Sequence, residues 1–156
     1  SAVSSITSAC ASAASSTASA SSSVAFSAAL SQAVRASPSA AAEAMALGLR
    51  EGVDAAALYE VITHSAGNSW MFENRMAHVL AGDYTPLSAV DIFVKDLGIV
   101  LEAGRDTRAA LPLAAIAHQM FLSVSGRGDG AADDSQVIRA YTALNGAAAP
   151  VKSRDH

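Results

Sequence analysis

An all-α fold of about six helices is what residues 39 to 145 of this 156-residue chain predict, and three observations carry that expectation. Apolar side chains recur at helical spacing, no stretch alternates apolar and polar residues as a half-buried strand would, and glycines punctuate the pattern at helical lengths. The first helix, Ser39 to Arg50, is rich in Ala, Glu, Met and Leu and stops at Gly52; Ala41, Ala44, Met45 and Gly48 form a small-residue face suited to close packing. Asp54 caps the second, in which Leu58, Val61 and Ile62 point inward before Gly67 ends it. Asn68 or Ser69 caps the third, with Phe72, Met76, Val79 and Leu80 on one face and Gly82 at the exit.

After the turn residues Asp83-Tyr84-Thr85-Pro86, the longest helix is expected from about Ser88 to Arg105. Its buried stripe is Val90, Phe93, Leu97, Val100 and Leu101; Asp91, Lys95, Gly98, Glu102 and Arg105 form the opposite one. Pro112 opens a fifth helix with Leu113, Ile116, Met120, Phe121 and Val124 inward, and Gly126-Arg-Gly-Asp-Gly130 breaks it. Asp133 or Asp134 then caps a last helix that turns Val137, Ile138, Tyr141 and Leu144 toward the core, after which Gly146 and the residues to 156 lose the pattern and read as a disordered tail.

Residues 1 to 38 read differently. Of the first 39 residues fifteen are Ser and twelve are Ala, with Arg35 the lone charge, so little large apolar surface exists to offset the entropy of ordering them. Disorder is the expectation for this segment. Its Ser-rich, acid-free, Arg-bearing composition also resembles an organelle transit peptide, and a stretch translated from the wrong frame or from a retained intron would look similar. A cytoplasmic location is otherwise the expectation.

Charge and cysteine content narrow the chemistry. Ten Lys+Arg against fourteen Asp+Glu give a net charge of −4, and no basic stripe exists to release counterions from a nucleic acid. Cys10 has no partner for an internal disulfide and no ligand neighbours; His64, His78 and His118 fall on different helices without zincin spacing, so no metal is expected. No run of about eighteen apolar residues suggests a membrane span. Glu60 and His64, four apart, read as a local pair. The glycines at 126, 128 and 130 follow a helix rather than a strand and read as a helix stop.

Lys95 is the sharper residue, because the only other lysine is Lys152. With Asp91 one turn earlier, spacing alone makes it either half of a solvated Asp-to-Lys pair or a cation that a rigid helix presents to an anionic ligand, with Gly98 leaving room for close approach.

Three stretches carry a resemblance: Glu43-Ala-Met-Ala-Leu-Gly48, Val61-Ile-Thr-His-Ser-Ala-Gly-Asn-Ser-Trp-Met-Phe-Glu-Asn-Arg75, and Phe93-Val-Lys-Asp-Leu-Gly98. Together, over roughly residues 40 to 142, they resemble the C-terminal helical domain of the β-hydroxyacid dehydrogenases, enzymes of 6-phosphogluconate-dehydrogenase-like fold, and most of all the branch acting on sugar acids such as L-threonate. The resemblance implies an NAD- or NADP-dependent oxidation of a small hydroxy acid, a homo-oligomer built through these helices, and no metal. It implies that Lys95 reaches the cofactor and makes Asn68 and Ser69 candidates for the substrate side of the cleft. Trp70 and Phe72 read as packing.

Two departures accompany the matches. No Gly-x-Gly-x-x-Gly turn for a dinucleotide's pyrophosphate occurs, and no lysine precedes Lys95, whereas the family carries a catalytic lysine on its first long helix here, followed four residues later by an asparagine. No catalytic residue can therefore be assigned. The expectation is a fragment of a dehydrogenase, inactive by itself; a non-catalytic oligomerisation or partner-docking module, or a module that binds an acid without turning it over, are the alternatives.

Overall fold

The computed structural model describes residues 37 to 147, and they fold as six α-helices. These are α1 (Ser37–Arg50), α2 (Ala55–Thr63), α3 (Trp70–Ala81), α4 (Val90–Thr107), α5 (Pro112–Val124) and α6 (Ile138–Asn145). A π-helical turn, Ser125–Asp129, and a 3-10 turn, Asp134–Val137, join α5 to α6. There is no β-strand among the described residues, only an isolated antiparallel bridge between Ala89 and Asp133. None of their helices is long and apolar enough to cross a membrane. The expected disorder of residues 1 to 38 falls outside the described residues except at Ser37 and Pro38, which lie inside α1; the expected tail does so from residue 148.

Local chemistry explains most helix ends. Asp54 accepts the Ala57 N–H at 2.8 Å and caps α2; Ser69, rather than Asn68, caps α3 by accepting the Phe72 N–H at 3.0 Å. At the α3 exit Gly82 takes a left-handed φ of 58°, a conformation in which a side chain is strained. Pro112 stands at the first turn of α5, where its missing N–H costs nothing.

The core joins Met45 of α1, Phe72, Met76 and Val79 of α3, Val90, Phe93, Leu97 and Val100 of α4, Phe121 and Val124 of α5, and Ile138 and Tyr141 of α6. Phe93 and Phe121 stack with centroids 4.7 Å apart, fastening α4 to α5. Across the other side, Ser39 and Tyr141 share a buried 2.6 Å hydroxyl hydrogen bond that ties α1 to α6.

The inward faces of four helices differ from expectation. Leu113 and Ile116 face solvent, and α5 buries Ala114, Ala117, Phe121 and Val124 instead. Both sets fit a helical period, but alanines let the backbone of α5 approach α4 closely, and that approach decides which stripe turns inward. Val61, Leu144 and Ala44 are likewise exposed, at positions where no neighbouring helix among the described residues covers them. The helix α2 ends at Thr63, four residues before Gly67.

Candidate functional site

Lys95 projects from the middle of α4 with its side chain 68% exposed, and its Nζ lies 3.4 Å from Oδ1 of the buried Asp96. The pair with Asp91, one of the two roles that spacing allowed, is not formed. Asp91 accepts the Ser125 Oγ–H at 2.6 Å, because the π-helical turn folds back against the start of α4 and claims that carboxylate first. A Cβ added at Gly98, one turn beyond Lys95, would meet only His118 Nε2, at 3.9 Å, so this helix does not need a glycine there for its own packing.

Asn68 and Ser69 lie at the start of α3. Ser69 spends its hydroxyl on the cap, while Asn68 donates from Nδ2 to Glu73 Oε2 at 3.4 Å and keeps a buried Oδ1 that meets no hydrogen-bond donor. Beside them a groove of about 330 Å³ opens between Ala40, Ala41 and Ala44 of α1 and Ser65, Gly67 and Ser69 of the α2–α3 connection. The first-turn N–H groups of α3 make this end attractive to a carboxylate. No hydrogen bond or ion pair among the described residues joins Lys95 to Asn68 or Ser69.

Trp70 corrects its reading as packing: it is 67% exposed, because the first residue of α3 points away from α1 and α2. Phe72 does pack, buried and stacked on Tyr59 with centroids 6.0 Å apart. The Glu60–His64 contact, 3.4 Å between exposed side chains, is a local helical pair. No group of three metal-ligating side chains occurs among the described residues.

A buried polar cluster escaped the sequence reading. Arg75 Nε stands 2.6 Å from Oδ1 of Asp134, with both side chains buried, in an ionic contact too bent for a full hydrogen bond. Burial pushes the Asp134 carboxyl up to about 6, and the opposing pull of Arg75 does not cancel it. Asp133 shifts the other way: burial raises it, but the Ser135 hydroxyl, the Leu87 and Ser135 N–H groups and the Arg75 charge together outweigh that and hold it below its usual value. Spacing signalled Asp133 only as a cap, a role it fills by accepting the Ser135 N–H at 3.0 Å. Arg75 closes the Asn-Ser-Trp-Met-Phe-Glu-Asn-Arg run, yet nothing in helical periodicity marks an arginine as buried.

Comparison with known proteins places this geometry. Residues 29–141 match the family model described as NAD-binding of NADP-dependent 3-hydroxyisobutyrate dehydrogenase. The chain is 68% identical over 104 residues to an L-threonate dehydrogenase of Cupriavidus necator, a match covering 67% of this chain and 35% of that protein. It is 55% identical over 103 residues to the L-threonate dehydrogenase of Escherichia coli, covering 66% and 34%. The crystal structure of a 3-hydroxyisobutyrate dehydrogenase from Salmonella typhimurium superposes with a TM-score of 0.70 at 55% identity, over 71% of this chain and 39% of that one. The chain spans about a third of the length of the curated relatives it matches.

Proposed function

Because the chain belongs to the 3-hydroxyisobutyrate dehydrogenase family, we propose that it is the helical part of an NAD- or NADP-dependent enzyme that oxidises a small β-hydroxy acid, with L-threonate the leading substrate. The observation that carries this reading is the match over residues 29–141, which takes in both the helix presenting Lys95 and the Asn68-Ser69 connection. A bound nicotinamide supplies the hydride acceptor.

The residues of this chain fit part of that task. Lys95 offers an exposed ammonium, which suits an anionic cofactor group or a substrate oxygen. Ser69, next to Asn68, lines a groove at a helix N-terminus, a place suited to the carboxylate of a hydroxy acid. Other parts do not fit. No Gly-x-Gly-x-x-Gly turn stands among the 156 residues, and none of residues 1 to 94 is a lysine able to take the hydroxyl proton as the hydride leaves.

The test is to join this chain to the Rossmann domain and first long helix of a close relative and measure steady-state oxidation of L-threonate. The joined protein should turn over L-threonate with NAD or NADP, and the 156 residues alone should not. A folded joined protein without turnover would favour a second reading, a non-catalytic oligomerisation or docking module. The outward Leu113 and Ile116 on α5 favour that one, and equally support assembly of the dehydrogenase through these helices.

A further inference from the structure

Arg75 is buried, yet its contacts lead to one solvent-facing groove. Besides the ionic contact with Asp134, its guanidinium carbon stands 5.9 Å from the centroid of the Trp70 ring, and a terminal guanidinium nitrogen donates to Asn74 Oδ1. Trp70 and Asn74, together with Glu73 and His78, line a groove of about 310 Å³ along α3. Residues 70 and 75 do not share a helix face. Arg75 reaches the ring only because helical side chains lean toward the N-terminus, and Asp134, arriving from the 3-10 turn, braces the guanidinium from the other end.

We propose that Arg75, anchored by Asp134, is a positioning residue that holds the exposed Trp70 ring and the Asn74 amide in place as walls of this groove. A planar guanidinium can do both at once: its face meets the ring while its edge nitrogens serve the carboxylate and the amide. An exposed indole at the first position of a helix would otherwise exchange rotamers freely. Taking the groove as part of the substrate cleft rests on the function proposed above; the anchoring does not.

The test uses the whole chain, in which Trp70 is the sole tryptophan and therefore the sole indole fluorophore. Arg75→Lys keeps a cation for Asp134 but loses the planar face. The pair Arg75→Met with Asp134→Leu removes both charges of the ion pair and leaves the buried Asp133 carboxylate to its hydrogen bonds from Leu87 and Ser135. In either folded variant the stacked rotamer should lose about two- to five-fold in population, read as lower Trp70 anisotropy and easier acrylamide quenching at an unchanged helical circular dichroism. Wild-type anisotropy and quenching in a folded variant would overturn the proposal.

A second measurement does not depend on those variants folding. In the wild-type chain the guanidinium carbon stands over the Trp70 ring, so the Arg75 guanidinium resonances should lie upfield and return on Trp70→Leu, a substitution at an exposed site. No change there overturns the anchoring by itself. A joined dehydrogenase that fails to turn over substrate while Trp70 stays ordered would instead count against the function.

Discussion

Asp133 Oδ2 accepts the backbone N–H of Leu87 at 2.8 Å, joining positions 46 residues apart. Around this bond the 130–134 segment and the entry to α4 zip together: Asp134 N–H to Ser88 O at 2.8 Å, Val90 N–H to Ala132 O at 2.9 Å, and Asp91 N–H to Gly130 O at 2.9 Å. The other carboxylate oxygen takes both the N–H and the hydroxyl of Ser135. One fully buried carboxylate thus caps a turn and fixes where the longest helix begins.

Asp133→Ala should therefore cost about 3 kcal/mol, since it strands the buried Ser135 N–H and hydroxyl, frees the Leu87 N–H and removes a cap together. Urea titration at neutral pH would measure it. A loss below about 0.5 kcal/mol would mean that the α4 entry is held by the backbone bonds alone.

The Asp134 carboxyl gives the chain a pH dependence opposite to the common acidic trend. Its value rises from 3.8 to about 6 on folding, so its stabilising contribution is complete below 3.8 and is lost as pH climbs through 6. Asp134→Asn should abolish that slope, and its melting temperature should gain on the wild type between pH 4 and 7 by the equivalent of about 3 kcal/mol. Asp133 acts in the reverse sense, with stability present above 3.8 and lost as pH falls through its lower folded value. Melting temperatures of the Asp134→Asn variant and the wild type that run parallel over that range would refute the burial argument.

At Gly104 in α4, an added methyl would lie 2.5 Å from Leu111 Cδ1 and 3.3 Å from the Ala109 carbonyl oxygen. Gly104→Ala should destabilise by about 1 to 3 kcal/mol from overpacking, against a helix-propensity gain near 1 kcal/mol. Thermal melting decides the sign: a net stabilisation would show that the α4–α5 turn shifts freely.

Lys95→Ala should hardly touch the fold, because an exposed ion pair contributes about 0.2 to 1 kcal/mol. In the joined dehydrogenase it should instead lower kcat/KM roughly ten- to a hundred-fold, the cost of losing a charge-assisted hydrogen bond to cofactor or substrate. Steady-state kinetics alongside melting separates the two, and a kcat/KM within twofold of wild type would return Lys95 to the solvated surface.

Helical period, caps and glycine stops determined the number and order of the helices, because those signals are local: Asp54, Ser69, Gly82 and Pro112 act on backbone groups within a turn of themselves. The motif stretches carried the family for the same reason, being contiguous. Tertiary structure decided which of two equally periodic stripes on α5 is buried, since Ala114 and Ala117 win over Leu113 and Ile116 only once α4 sets the approach distance. It also decided that Lys95 turns from Asp91 to Asp96, because Ser125, 34 positions away, takes the Asp91 carboxylate. The burial of Arg75 against Asp134 belongs there too: a charge is removed from water only when a partner from a distant segment arrives with it, and no pattern within one helix records that meeting.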